Sequence, residues 1–495
     1  MTIMLWRGAF LLLLGQILFL ASGYGVSVVL ARWLGPEEFG AYGIVYSLLM
    51  VFELCVVAGI PNALQRFVGE NPTKAFALHR VMLRWQIVYT AVVFGLAFLT
   101  ARFFLGIFND SRLAAILQIA IIDILFFSFY WYYAGMQIGL KNFGRQTVIA
   151  SVYSVSKFAF ITLLLLGGYG VTGAFIGNIL GSLCGLALGM WWTRLPKQSA
   201  EISKPELLHF IVPNILYSIG MNLFFYIDLW AVKYYMSEAM VGFYNAASTI
   251  GRIPYSFAIA LAGALLPSLA FAVAQSQKRE SEHIIRQALR LTLLTVLPAL
   301  ALVSSSATPI ATMFFGEAYA GAGGILRVLM AGLSIYAIFM VVNTIAMAKG
   351  GMKMCTIIVF ALLPLDVLLN WYCVPRWGTV GAAAATTATM LMGVIANSLY
   401  VKRIFNAFIN LRSLVRILFA ATTVFALSHF IPTNNAWELL AKFAVLMIFY
   451  ILLLRVFGEV DQNDIAQIKN TFSAKFGNRK TETPKPEVYA AALES

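Results

Sequence analysis

Seven ionisable side chains stand inside long apolar stretches: the acids Glu53, Asp123, Asp228 and Asp366, and the bases Lys157, Arg252 and Arg327. Holding such a group in hydrocarbon costs a few kcal/mol or more, so each is a functional candidate. A carboxylate withdrawn from water can take up and release a proton. A guanidinium offers a planar fork that matches phosphate oxygens two at a time. Other chemistries are poorly supplied. His79, His209, His283 and His429 are scattered without metal-ligand spacing. No Walker lysine motif is present, so energy must come from an ion gradient or from the substrate gradient. Gly168-Tyr169-Gly170-Val171-Thr172-Gly173 matches the dinucleotide pattern, but no strand precedes it and apolar runs flank it; it reads as a hairpin.

The scaffold for these residues is set by composition. Of 495 residues, 61% are hydrophobic and 11% charged, and mean hydropathy is +0.83. Water-soluble domains carry about 25% charged residues, so a soluble enzyme, a coiled coil and a disordered chain are excluded. The apolar runs are continuous rather than alternating, which excludes an outer-membrane barrel. The net charge of +14 reads as basic loops retained in the cytoplasm rather than as nucleic-acid binding. Cys55, Cys184, Cys355 and Cys373 lack paired spacing, so neither a disulfide framework nor a zinc cluster is expected. The apolar run after Arg7 is too long for a removable signal and reads as the first span.

Cutting at polar clusters gives fourteen spans, starting near Phe10, Gly43, Met82, Leu113, Arg145, Val171, Leu207, Gly242, Ile284, Ala322, Cys355, Val380, Leu414 and Trp437. With both termini cytoplasmic, the inner segments hold twenty-six basic residues and the outer ones six: Arg32, Arg102, Arg112, Lys233, Arg376 and Lys442. At about 1.5 Å per residue, Glu53, Asp123 and Lys157 lie roughly 15–18 Å from an interface, near the middle of a core about 30 Å thick. Arg252 and Asp366 are also central, whereas Asp228 and Arg327 fall toward the outer side. Arg32, Lys233 and Arg376, at span ends, are expected to snorkel.

The chain is internally duplicated. Gly40 and Tyr42 after span one match Gly242 and Tyr244 after span seven at an offset of 202. Gly170-Val171-Thr172-Gly173-Ala174 matches Gly378-Thr379-Val380-Gly381-Ala382 at an offset of 208. The expected fold is an all-α polytopic membrane protein of about 14 transmembrane helices. Two six-helix lobes related by parallel duplication are followed by two C-terminal helices, and the cavity between lobes suits alternating access. The boundaries are 1–196 (first lobe), 197–206 (cytoplasmic linker), 207–404 (second lobe), 405–457 (spans thirteen and fourteen) and 458–495, a polar cytoplasmic tail.

Three stretches carry a family resemblance: Ala31-Arg32-Trp33-Leu34-Gly35-Pro36-Glu37-Glu38-Phe39-Gly40-Ala41-Tyr42; Leu207-Leu208-His209-Phe210 with Pro213, running on to Asp228; and Val241-Gly242-Phe243-Tyr244-Asn245-Ala246-Ala247. Over roughly residues 8–400 the chain resembles the polysaccharide-exporter branch of the multidrug/oligosaccharidyl-lipid/polysaccharide flippase superfamily. The resemblance implies a fourteen-helix flippase, not an enzyme. It would move undecaprenyl-diphosphate-linked oligosaccharide units across the bacterial inner membrane for O-antigen, exopolysaccharide or capsule assembly. Members often carry a basic residue after the span-seven aspartate; here that position is Leu229. The implied partners are the lipid-linked oligosaccharide, the bilayer and polysaccharide polymerase machinery, with a monomer as the working unit.

On that reading Arg252 and Arg327 bind the diphosphate, with Lys157 as a midplane point charge. Glu53 and Asp123 are coupling-site carboxylates for H+ or Na+, Asp228 balances an arginine when the cavity is empty, and Asp366 joins this coupling or charge-balancing set. No cofactor is expected. Intra-lobe ion pairing, such as Lys157 with Glu53 or Asp123, is the structural alternative. Other functions to weigh are a multidrug cation/proton or sodium antiporter of the same superfamily and a membrane enzyme of polysaccharide polymerisation; the absence of a long outer loop disfavours the enzyme. Pro61, Pro213, Pro254, Pro267, Pro298 and Pro364 are expected kinks, either hinges for rocking between states or static bends that shape the cavity. Asn62 and Asn214, each after a proline, can serve freed carbonyls or face substrate. Gly173, Gly177, Gly181, Gly185 and Gly189 form a packing stripe, echoed by Gly381, Ala385, Thr389 and Gly393.

Overall fold

The computed structural model describes residues 2–107, 110–196, 200–433 and 435–459, and among these it contains helices and no strand. Beyond Glu459 the polar tail assigned to 458–495, with all five of its basic residues, lies outside the described residues. The first helix, α1 (Thr2–Ala58), is interrupted at Gly35, whose φ of 76° and ψ of 175° are non-helical and which is followed by Pro36. Run straight, its 57 residues would extend about 86 Å, far beyond one bilayer. It folds back instead. A Cβ at Gly25 would stand 3.1 Å from the Phe158 ring, and the Tyr46 ring lies 5.8 Å from the neighbouring Lys157 ammonium. Both arms therefore meet one turn of α6 (Phe143–Leu166).

The second span ends in α2 (Ile60–Glu70) and is followed by α3 (Ala75–Ile107). The fourth is broken into α4 (Ser111–Ala120) and α5 (Asp123–Gly139). After α6 comes α7 (Gly170–Trp192), which completes the first lobe. The second lobe opens with α8 (Lys204–Leu223) and α9 (Ile227–Tyr235), bent by 41°. Then come α10 (Glu238–Gly251) with α11 (Ile253–Ala274), α12 (Lys278–Ser305), the short α13 (Ala307–Phe315) and α14 (Ala322–Met347). Helix α15 (Met352–Phe405) turns back at Gly378 (φ 60°, ψ −142°), so that a Cβ at Gly393 would stand 2.9 Å from Leu362. Two more spans, α16 (Leu411–His429) and α17 (Ala436–Val456), finish the described chain.

Length and hydropathy mark eleven stretches able to cross a membrane, twelve with the bent α8–α9 pair. Two of these, Gly15–Glu70 and Met352–Phe405, are hairpins of two spans each, which brings the crossings to fourteen. An even number leaves both ends of the described chain on one side, called here the terminal face; Gly35 and Gly378 turn at the opposite, hairpin face. Apolar side chains such as Val88, Leu96, Leu99, Trp371, Leu399 and Val445 are exposed around the outside, a surface that only a bilayer covers.

Inside each lobe the small-residue stripes do the packing. The α7 glycines 173, 177, 181 and 185 sit against Leu164, Ile161, Lys157 and Tyr153 of α6. The closest approach lies between the lobes. Gly40 and Gly242, the pair identified by the duplication, face each other: a Cβ on Gly40 would stand 2.6 Å from the Glu238 carbonyl oxygen, and one on Gly242 would overlap the Pro36 carbonyl. One turn on, Gly43 meets Asn245, whose side chain donates to the Phe39 carbonyl at 3.3 Å. The two repeats thus touch through matching positions, as in an isologous dimer.

Candidate functional site

In the first lobe, four helices deliver one polar cluster. Glu53 comes from the second arm of α1, Asp123 from the first turn of α5 just past the break in span four, Lys157 from α6 and Asn178 from α7. Glu53 is 1% exposed and Asp123 is fully buried. Their carboxyls face one another, and Asn178 Nδ2 donates to Asp123 Oδ2. Both Glu53 oxygens and Asp123 Oδ1 are buried with no hydrogen-bond partner among the described residues. The Lys157 ammonium acts electrostatically on both acids. Its nearest contacts are the Tyr153 hydroxyl at 3.5 Å and the faces of Tyr46 and Tyr153, at 5.8 and 5.7 Å.

The second lobe builds its own acidic cluster from different spans of the repeat. Asp228, on the first turn of α9, accepts from the Tyr244 hydroxyl at 2.6 Å, from Thr386 Oγ1 at 3.1 Å and from the Leu229 backbone N–H at 2.7 Å. Asp366 lies within electrostatic reach of Asp228, is fully buried and has neither oxygen hydrogen-bonded among the described residues. Beside it, the Asn370 side-chain oxygen is also buried without a hydrogen-bond partner among the described residues. Asn178 and Thr386, which each donate to a buried aspartate, stand at the duplication offset of 208. The stripe register gives a sharper match: Gly181 faces Lys157, and the equivalent Thr389 faces Asp366. Equivalent sites carry opposite charge.

Arg252 sits where the lobes and two broken helices meet. It forms the joint between α10 and α11, with Pro254 next, and its Nη2 donates 3.0 Å to the Phe225 carbonyl in the break between α8 and α9. The guanidinium lies 4.7 Å from the Phe225 ring centre and 5.0 Å from that of Tyr226. Tyr24 and Tyr46 of the first lobe feel its charge, as does Asp228 of the second. Its Nε is buried and has no hydrogen-bond partner among the described residues. Broken helices of this kind, meeting between repeats, are where transporters of duplicated fold hold their cargo.

Arg327 does not join this group. It is exposed on α14, where its Nε donates to the Ser304 carbonyl at 3.3 Å and Ser304 Oγ returns a bond to its own carbonyl; it latches α14 to α12. The snorkelling expectation also needs correction. Arg32 crosses the lobes to bind the Met313 and Phe314 carbonyls, at 2.5 and 2.9 Å, because the C-terminal carbonyls of α13 lack helical donors. Lys233 lies 3.3 Å from Asp110 and 3.0 Å from Glu238, while Arg112 lies 2.5 Å from Glu38 and 3.5 Å from Glu238. This ion network ties the lobes at the hairpin face. Arg376 folds over the Tyr372 ring, 3.7 Å from its centre.

At the terminal face the proline-flanked asparagines converge. Asn62 Nδ2 donates 3.1 Å to the Ala58 carbonyl, freed by the break before α2, and Asn214 donates to the same oxygen from the other lobe. The Phe67 and Phe210 rings, 6.1 Å apart, cover this junction. The lobes are thus joined at both faces around the buried clusters. Sequence reading missed Asn178, Thr386 and Tyr244 as carboxylate donors. The repeat offsets that pair Asn178 with Thr386 and Tyr244 with Tyr42 were the available signal.

The model of the family described as "Polysaccharide biosynthesis protein" matches residues 5–273. The chain belongs to that family. A second model, MatE, matches residues 213–372, so both branches of one superfamily leave their mark on the sequence. The chain is 23% identical over 429 residues to the uncharacterized membrane protein YabM of Bacillus subtilis (strain 168), covering 78% of this chain and 77% of that protein. It is 19% identical over 399 residues to a probable low-salt glycan biosynthesis flippase, Agl15, of Haloferax volcanii, covering 77% and 82%. Its fold is similar to that of the lipid II flippase MurJ in an inward closed conformation, with a TM-score of 0.72, 16% identity, and 94% and 99% of the two chains covered. It is also similar to an inward-facing multidrug resistance MATE transporter, with a TM-score of 0.66, 13% identity, and 79% and 98% covered. This family member is a multi-pass membrane flippase of the multidrug/oligosaccharidyl-lipid/polysaccharide superfamily, a transporter rather than an enzyme.

Proposed function

We propose that this protein flips undecaprenyl-diphosphate-linked oligosaccharide units across the bacterial inner membrane by alternating access, feeding surface polysaccharide assembly. The observation that carries the reading is Arg252: a guanidinium at mid-membrane, between the lobes, pre-positioned by a backbone carbonyl and with a buried Nε that has no hydrogen-bond partner among the described residues. A diphosphate crossing hydrocarbon needs a partner of this kind, since the fork can neutralise and orient phosphate oxygens at once. Lys157 contributes positive field from the first lobe, and the aromatic faces around Arg252 suit sugar rings. The basic terminal-face loops are placed in the cytoplasm, and with them both chain ends.

Coupling is assigned to the buried acids. Asp228 and Asp366, in a pocket with hydroxyl and amide oxygens, form a site for H+ or Na+, with Glu53 and Asp123 as the first-lobe counterpart. The MatE match favours a second reading, a cation-exporting antiporter. The test is translocation of lipid-diphosphate oligosaccharide in vesicles holding only this protein, with and without a proton or sodium gradient. Transport that Arg252→Ala abolishes supports the flippase. Efflux of cationic dye without movement of the lipid supports the antiporter.

A further inference from the structure

The junction of the lobes at the terminal face holds a cleft of about 450 Å³, within the size range of small-ligand sites, roughly 300–1,000 Å³. Its polar lining is Asn62, Gln65, Arg66, Lys141 and Asn214: three amides, two cations and no acid among the described residues. Arg66 stands one turn beyond Asn62 on α2, on the terminal side of the Ala58 carbonyl that Asn62 and Asn214 share. Its guanidinium lies 5.4 Å from the Phe67 ring centre and 4.8 Å from that of Phe210 in the other lobe. Its Glu70 partner, at 2.8 Å, forms an i,i+4 pair with both side chains half exposed. Such a pair contributes little, so phosphate oxygens can replace it.

Lys141 ends α5. Its N–H bonds to the Ile138 carbonyl and the Asn142 N–H to that of Gln137, both at 2.9 Å, a helix ending that commonly carries glycine at this position. Lysine stands there instead with a φ of 59°, a strained backbone of the kind that collects at ligand sites. Its ammonium makes no ion pair or hydrogen bond among the described residues. Retention of basic loops accounts for cations on this face, but not for their convergence on one cleft with amides from both lobes.

We propose that this cleft is a second diphosphate site, where a diphosphate-bearing ligand docks before reaching Arg252. The proposal rests on the flippase reading and adds a loading position to it. Arg66 supplies the fork and Lys141 a point charge. The Asn62 and Asn214 amide nitrogens each keep a second hydrogen beyond the one given to Ala58. Basic pockets between membrane helices hold lipid headgroups with groups of this kind. Because the same asparagines close the lobes over Ala58, the cleft holds its ligand outside that closure.

The experiment measures binding of radiolabelled farnesyl diphosphate, a short prenyl diphosphate, to the purified full chain in neutral detergent. Arg252→Ala removes the central contact and should leave saturable binding. Adding Arg66→Gln and Lys141→Gln should weaken that binding about 10-fold or more, as lost charge-assisted contacts do. No saturable binding to Arg252→Ala, or equal binding by the triple variant, overturns the proposal. Competition by inorganic pyrophosphate equal to that by unlabelled farnesyl diphosphate points to a diphosphate taken from solution, and weaker competition to one carried by lipid; either supports a diphosphate site. Equal competition by farnesol overturns it. Should a variant fail to fold, Glu70→Gln in the otherwise unchanged chain decides: it frees Arg66, so tighter binding supports the proposal and equal or weaker binding overturns it. If vesicles holding Arg252→Ala translocate lipid at the wild-type rate, the Arg252 reading fails while binding at the cleft still stands.

Discussion

Arg252 and Phe225 are joined twice, by a 3.0 Å bond from the guanidinium to the Phe225 carbonyl and by the guanidinium's place 4.7 Å above the Phe225 ring. Phe225 belongs to the break between α8 and α9, so its carbonyl is among the groups that helical bonding does not serve. Arg252 serves it, and that bond fixes the fork at the lobe boundary before any ligand arrives. Arg252→Ala is expected to lower translocation about 10- to 100-fold, the loss of a charge-assisted contact of about 1.5–3 kcal/mol. Arg252→Lys keeps the charge without the fork and should fall between the two. Comparable rates for all three proteins, at equal abundance in the membrane, would remove Arg252 from the transport path.

The Ala58 carbonyl has one donor within its own lobe and one across the boundary. Separation of the terminal face therefore leaves it satisfied by Asn62. Asn214→Leu is expected to cost about 1 kcal/mol and to increase labelling of cysteines placed between span two and α8. Asn62→Leu with Asn214→Leu should cost more than the two single changes added together, because only the pair leaves the carbonyl bare. Additive melting shifts would contradict a shared acceptor.

On the hairpin face, Asp110 caps α4 through the Arg112 and Leu113 N–H groups. Burial pushes its carboxyl up, but the Leu113 N–H and then Lys233 outweigh burial and hold it below the ordinary carboxylate value. The depressed folded value means its stabilisation is complete above the unfolded value of about 3.9 and fades as pH falls through the folded one. The latch should therefore hold from neutral pH down to about 4 and loosen below, read as labelling of hairpin-face cysteines. Lys233→Met should raise that labelling at neutral pH and cost about 1–2 kcal/mol, a buried-pair loss discounted for partial exposure.

Gly242 has no room for a methyl group, because the Pro36 carbonyl of the other lobe occupies that space. Gly242→Ala should wedge the hairpin face apart while leaving each lobe folded. Expected results are increased hairpin-face labelling, loss of transport, and a melting cost in the range of overpacking, about 1–3 kcal/mol. Unchanged labelling would show that the lobes part elsewhere.

Gly181→Ala tests packing within a lobe. Its Cβ would stand 2.7 Å from the Lys157 Cβ and 2.8 Å from its Cα, so α6 must shift and carry the ammonium with it. Stability should drop by about 1–3 kcal/mol, seen as a lower melting temperature, and Gly181→Leu should not yield folded protein.

Hydropathy, loop charge and the repeat offsets were enough to place fourteen spans, to mark the seven intramembrane ionisable groups and to identify Gly40 and Gly242 as counterparts. These features are written in local composition and in self-similarity, which a linear chain displays without folding. The breaks at Ile121–Ile122 and Phe224–Tyr226 contain no proline and left no such mark. Nor did composition separate Arg252 from Arg327, two arginines in apolar spans of the same lobe, one at the lobe boundary and the other latched to Ser304. Lys157 among acids, Arg32 on the end of α13 and Asn214 on Ala58 all depend on partners far apart in the chain. Their bonds exist because helix packing brings unserved carbonyls and buried charges to the same depth, and hydrocarbon offers those groups no alternative to each other.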